Sequence, residues 1–258
     1  MLAKEKLAIL DFDSNPQAII QPSKEDYDFT LPQKCVVIFF KDIVDELAKS
    51  EYVKEIGRVT WETGDVVYYL YQKDNVEVCF YHSWVGAAIS AAVMDLTIAL
   101  GARKIIACGG CGVLDNSIDE GKILVPTKAI RDEGTSFHYV APSSEIACEN
   151  SLLSELLHYM RKNNIPLSIV KTWTTDGFYR ETDQRRKIRV QQGCSTVDME
   201  FSALCAVAQF RHIEFAQLFY AGDVVELAEE YDERNWQCDK DTRKSLVNLI
   251  FNFLGEII

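Results

Sequence analysis

The chain has 258 residues, 48% of them hydrophobic and 26% charged, with a formal net charge of -12. That length can bury a full core without disulfides or a structural metal, and the acidic balance disfavours a nucleic-acid backbone as partner. No apolar run has the length of a membrane-spanning helix. The opening MLAKEKLAILDFDSN also lacks a cleavable leader pattern, so a cytoplasmic protein with reduced thiols and no membrane partner is expected.

In chain order, β-branched and aromatic runs alternate with helical patterns. Cys35–Phe40 reads as a strand and Lys41–Ser50 as a helix, followed by strands at Val66–Tyr71 and Val76–Tyr81. A helix over Gly86–Leu100 precedes strands at Lys104–Cys108 and Ile123–Pro126. Then come a helix at Ser151–Asn163, a strand at Leu167–Lys171, a helix at Met199–Arg211 and a strand at Glu214–Tyr220. An amphipathic helix over Thr242–Ile257 closes the series. This alternation calls for a layered α/β domain with a largely parallel or mixed sheet. With no repeat, low-complexity tract or linker, residues 1–258 read as a single domain.

Eight cysteines are scattered through apolar segments, where a free thiol acts as a small core residue. Cys108 and Cys111 have redox-like spacing, but no second pair lies at a ligand-like distance, and no metal site is expected. The basic cluster Arg185, Arg186, Lys187 and Arg189 reads as a solvated helix face.

Four segments carry candidate chemistry. In CGGCGVLD, after the strand KIIA, Gly109, Gly110 and Gly112 allow close backbone approach, as a tight turn or as a cradle of N–H groups. In VDME, Asp198 and Glu200 open a helix, where they favour the macrodipole; a carboxylate such as Glu200 also matches two adjacent sugar hydroxyls. In YAGDVV, Asp223 follows a strand at its C-terminal end, where ligands gather in α/β sheets. In WTTDGFYRET, Trp173, Phe178 and Tyr179 surround Asp176, Arg180 and Glu181, a composition that suits a heterocycle pocket or plain core packing.

Together with GKILVPTKAIRDEGTSFHY, these strings resemble the nucleoside phosphorylases, a family that includes uridine phosphorylase, hexameric purine nucleoside phosphorylase and related nucleosidases. The likeness runs from about Ser83 onward and is nearest to a bacterial uridine-phosphorylase-like branch. It implies a three-layer α/β/α fold around a central mixed, twisted sheet. It also implies a pentosyltransferase in which phosphate attacks the anomeric carbon of a nucleoside, here a purine nucleoside, giving ribose 1-phosphate and free base. Phosphate is a co-substrate, and no cofactor or metal is implied. By the same resemblance Glu200 binds the ribose hydroxyls with Met199 against the sugar, and Phe178 and Tyr179 flank the base. Asp223 protonates the leaving base, and Gly109 and Gly110 contact phosphate. Arg180 and Glu181 contact the base from the rim, Arg131 lies near the site, and Ser83 binds substrate. A homo-oligomer, dimer or hexamer, is the implied assembly.

The sequence departs from the family pattern at four points. It has no early GDPxR-like loop, Ala107 stands where an arginine faces phosphate, Gly110 replaces a hydroxyl residue, and Trp84 fills a position for a smaller or basic side chain. Losing an arginine removes a bidentate phosphate grip. Water as nucleophile, a uridine phosphorylase using Gln184 and Arg185, and an inactive nucleoside-binding relative are therefore the alternative readings.

Overall fold

A computed structural model describes residues 7–114, 117–225 and 240–257. Ten strands form one mixed sheet: β1 (Lys34–Ile38), β2 (Val53–Trp61), β3 (Gly64–Lys73), β4 (Val76–His82), β5 (Lys104–Val113), β6 (Ile123–Asp132), β7 (Glu145–Ala147), β8 (Ser168–Thr175), β9 (Thr196–Asp198) and β10 (Glu214–Val224). They follow the order β10-β6-β8-β9-β5-β1-β4-β3-β2, with β7 on β6. A further pairing of β10 with β5 closes β5, β10, β6, β8 and β9 into a ring, so the sheet curls back on itself at one end.

Among the described residues six α-helices accompany the sheet: α1 (Lys41–Leu47), α2 (Ala87–Ala99), α3 (Ser151–Lys162), α4 (Asp183–Gln191), α5 (Phe201–Phe210) and α6 (Lys240–Glu256). The two faces of β3 show how the layers are held. Tyr68 hydrogen-bonds to Thr97 of α2 at 3.0 Å, while Tyr71, on the other side of the pleat, packs on Phe251 of α6. The core is continuous through Val36, Val37, Phe80, Ile105 and Phe215, and includes the almost wholly apolar helix α5. A smaller cluster of Leu114, Ile130, Trp173, Cys194 and Val197 belongs to the curled end.

Each anticipated strand is present, but several run further toward their C-termini than their apolar cores. β6 continues through Ala129 to Asp132 and β10 through Gly222 to Val224. The segment expected as a loop at Gly109 and Gly110 is a correction: β5 continues to Val113, held by β10 in register Phe219↔Gly109 and Tyr220↔Gly110. Strands β2, β7 and β9 escape the sequence pattern. β2 mixes Lys54, Glu55 and Arg58 into a largely exposed edge, and the other two have three residues each. Helix α5 begins at Phe201 rather than Met199, because Asp198 and Glu200 shape its entry. Among the described residues no helix is long and apolar enough to cross a membrane.

The basic cluster is a second correction. On α4, Arg185 and Arg189 both reach Asp132 Oδ2, which also accepts from Trp173 Nε1 at 2.7 Å. Arg186 donates to the carbonyls of Val225 (2.7 Å) and Leu114 (2.6 Å). Three of the four cations therefore bind α4 to the sheet, and Lys187 alone stays on the solvated face, paired with Asp183. The i, i+1, i+4 spacing hides this, since any helix shows such a spacing to water or to protein equally well.

Candidate active site

The C-terminal ends of β4, β5, β8, β9 and β10 converge with the N-termini of α2 and α5. The entry to α5 is built around Asp198. Its Oδ2 accepts from the N–H groups of Glu200 (2.9 Å) and Phe201 (2.6 Å), and its Oδ1 accepts from the Thr172 and Thr174 hydroxyls, both at 2.9 Å. All lone-pair directions of this buried carboxylate are thus in use, and its part is to cap the helix. Even so, burial raises its pKa, opposed by those hydrogen bonds.

Glu200 differs. It is buried, and its Oε1 accepts from Gly86 N–H at 2.7 Å. Gly86 stands before α2 with φ +113°, a conformation that favours glycine. No side chain caps that helix, so the Glu200 carboxyl meets its first N–H group from another element. Burial, then the neighbouring Asp198, push the Glu200 pKa up to about 8, with the Gly86 bond pulling the other way.

A second acid pair lies opposite. Glu181 follows the short helical turn Phe178–Arg180, and Asp223 lies half-buried in the last turn of strand β10. Burial and the charge of Asp223 raise Glu181 to about 7, with Arg185 opposing. Asp198 also acts on Glu181, and Asp198 and Asp223 both act on the buried Cys111 thiol, pushing it well up after the larger effect of burial. Asp198, Glu200, Glu181 and Asp223 therefore share one electrostatic neighbourhood around the end of β5.

The remaining candidates occupy distinct positions. Met199 is half-buried between Asp198 and Glu200. Phe178 and Tyr179 form an edge-to-face pair with centroids 4.8 Å apart and stand exposed at the rim, Tyr179 at 90%. Trp173, from the same motif, is instead fully buried, with the Arg185 and Arg189 guanidinium groups 5.3 and 5.5 Å from its ring centroid. Arg180 is exposed, and its carbonyl accepts from Arg185 at 3.3 Å. Ser83 is buried, with its hydroxyl on the Trp84 carbonyl at 3.3 Å.

Arg131 is not directed into the acid neighbourhood. Its guanidinium donates to Ser136, Val140, Ala141 and Ser143 and stacks on Phe137 at 4.1 Å. Gly109 is buried, and a β-carbon there would stand 3.2 Å from the Phe39 ring. Gly110 is exposed and lies beneath the Tyr220 ring, 3.1 Å from where its β-carbon would be. Gln184 is exposed and Arg185 is bound to Asp132, so the two do not form a joint grip. Cys108 and Cys111 sit on opposite faces of β5, three residues apart in a strand, which removes their redox spacing.

Sequence reasoning missed Gly86 and Asp132. Gly86 had no motif around it, and its role exists only because α2 and α5 begin side by side. Asp132 lay beyond the expected end of β6.

Comparison with known proteins follows from this geometry. A family model described as the phosphorylase superfamily matches residues 35–254. Guanosine phosphorylase from Halorubrum lacusprofundi is 23% identical over 136 residues, covering 53% of this chain and 56% of that protein. The chain thus matches little more than half the length of that relative. Among solved structures, uridine phosphorylase from Vibrio fischeri superposes with a TM-score of 0.72 at 20% identity, covering 93% of this chain and 100% of that one. Purine nucleoside phosphorylase from Toxoplasma gondii, in complex with immucillin-H, gives 0.70 at 20% identity, covering 93% and 96%.

Proposed function

The chain belongs to the phosphorylase superfamily, and from that premise we propose that it cleaves the N-glycosidic bond of a purine nucleoside with water as the acceptor. The observation that carries the reading is the acid cluster of Asp198, Glu200, Glu181 and Asp223. Bond cleavage develops positive charge on the ribose and negative charge on the base. Glu200 grips the ribose hydroxyls, and the surrounding negative field stabilises the oxocarbenium-like sugar. Burial and the neighbouring charge of Asp223 raise Glu181 to about 7, so Glu181 holds a proton near neutral pH and delivers it to the base. A purine suits this acid because its imidazole nitrogen accepts the proton as the bond breaks. Phe178 and Tyr179 cover the base from the rim.

Water is favoured over phosphate by the fate of the anion-binding candidates. Ala107 is buried and uncharged, Phe39 covers Gly109, and Arg131 and Arg185 are engaged by the loop after β6 and by Asp132. Phosphorolysis is the second reading, favoured by the likeness to a guanosine phosphorylase. The working form is a cytoplasmic homo-oligomer, dimer or hexamer, a reading supported by the large exposed side chains of Tyr179 and Ile19.

The test is release of free base from inosine, guanosine, adenosine and uridine, with and without phosphate. Free ribose at a rate independent of phosphate is the expected result. Ribose 1-phosphate formed only with phosphate would establish the second reading, and turnover of uridine alone would overturn the purine assignment.

A further inference from the structure

Helix α5 connects the acid cluster at Glu200 to a second feature at its far end. There a cavity of about 230 Å³ is lined by Cys148, Asn150, Cys205, Gln209, His212 and Phe215, among others. Both thiols line it, and Cys205 Sγ lies 3.5 Å from the carbonyl of Ala147, the residue preceding Cys148.

Two amides bracket the pair. Asn150 Nδ2 lies 3.4 Å from Cys148 Sγ, and Gln209 Nε2 lies 3.5 Å from Cys205 Sγ. Each amide is fixed by a carbonyl at 2.7 Å, Asn150 by Phe215 and Gln209 by Ala147. The contact with Cys148, followed by burial, pushes the Cys205 thiol well up, so Cys205 keeps its proton. The Cys148 thiol donates to the Phe215 carbonyl at 3.2 Å. That carbonyl keeps its Asn150 partner when the thiol proton is lost, so oxidation strands no buried acceptor.

Other cysteine pairs lack this combination. Cys35 and Cys79 are register partners in the middle of β1 and β4, and Cys108 and Cys111 face opposite ways. Among the described residues no three His, Cys, Asp or Glu side chains are grouped as metal ligands, which leaves the pair as a dithiol.

We infer that Cys148 and Cys205 form a redox-active dithiol that a small peroxide, entering through the cavity, converts to a disulfide joining the turn before α3 to α5. The Cys148 sulfur attacks one peroxide oxygen and the O–O bond breaks. The Cys148 thiol proton passes to the departing hydroxyl, giving a Cys148 sulfenic acid and one water from hydrogen peroxide. The Cys205 sulfur then attacks the sulfenic sulfur; the S–S bond forms, and the hydroxyl leaves as a second water with the Cys205 proton. Two thiols are oxidised and one peroxide is reduced.

The experiment treats the full chain with hydrogen peroxide, blocks remaining thiols by alkylation and maps cysteine peptides by mass spectrometry. The expected product is a Cys148–Cys205 crosslinked peptide that dithiothreitol abolishes. In Cys205→Ser, dimedone should label Cys148, whereas in Cys148→Ser it should leave Cys205 unlabelled. The inference is overturned if both cysteines of the wild-type chain alkylate fully after peroxide, if the crosslink forms elsewhere, or if Cys205 is labelled in Cys148→Ser. The wild-type map decides alone should the variants fail to fold. None of these outcomes depends on which nucleoside the protein uses.

Discussion

Replacing Glu200 by Gln tests the central residue of the site through stability as well as activity. The substitution preserves shape and keeps a carbonyl oxygen to accept from Gly86 N–H, while it removes the charge. The Glu200 pKa rises from 4.5 to about 8 on folding, through burial and the neighbouring Asp198. A group whose folded pKa is raised contributes stability below its unfolded pKa and loses it as pH rises toward the folded value. The wild-type chain should therefore lose stability between pH 4.5 and pH 8 on this account, at about 1.4 kcal/mol per unit for full coupling. The full shift sets a ceiling of about 5 kcal/mol, and relaxation around the buried carboxylate reduces it to a few. Glu200→Gln should match the wild type near pH 4.5 and surpass it at pH 8, by roughly 5–10 °C in melting temperature for a chain of this size. Base release should fall at the same time by about a hundredfold or more, as the grip on the sugar weakens. Thermal melts at intervals from pH 4.5 to 9, with base release measured alongside, provide the assay. A stability difference that does not vary with pH would refute the buried-charge argument, and wild-type turnover would remove Glu200 from the site.

Two further outcomes follow from the neighbouring acids. Glu181 is raised to about 7 by burial and Asp223, so if it delivers the proton, kcat should decline as pH rises through 7; Glu181→Gln should flatten that limb and lower kcat by ~10²–10⁴, and an unchanged profile would assign the acid elsewhere. Asp132→Asn keeps an acceptor oxygen but removes the negative charge shared by Trp173, Arg185 and Arg189. It should destabilise the fold by about 3 kcal/mol, because two partly buried cations lose their counter-charge, and should shift Trp fluorescence as α4 loosens; a melting temperature within ~2 °C of wild type would show that α4 is held by other contacts.

The segments that form the candidate site were legible because each lies where an apolar run ends and polar residues begin. VDMEF places two acids immediately before a helix, and FYAGDVV places Asp223 at the end of a strand whatever the surroundings. Glu181 was visible only as one polar residue among aromatics. Its importance arises from burial beside Asp223, a pairing between residues 42 positions apart. The basic run of α4 was misleading for a related reason: periodicity gives the direction of a side chain around a helix but not what stands opposite.

Composition and periodicity by themselves determined an acidic chain of α/β class, the order of its main strands and helices, and the motifs that carry the family likeness. These are local properties, set by side-chain alternation, propensity and the residues that terminate each element. Only the tertiary structure decided that β10 pairs with β5 to extend the glycine segment as strand, that Phe39 covers Gly109, and that Arg131 is engaged by its own loop. It also decided that Gly86 meets Glu200, that four carboxylates share one neighbourhood, and that Cys148 and Cys205 line one cavity while Cys108 and Cys111 face opposite ways. Each of these depends on contacts between distant parts of the chain and on the loss of solvent around them, and neither the pairing nor the burial is encoded in a local window of residues.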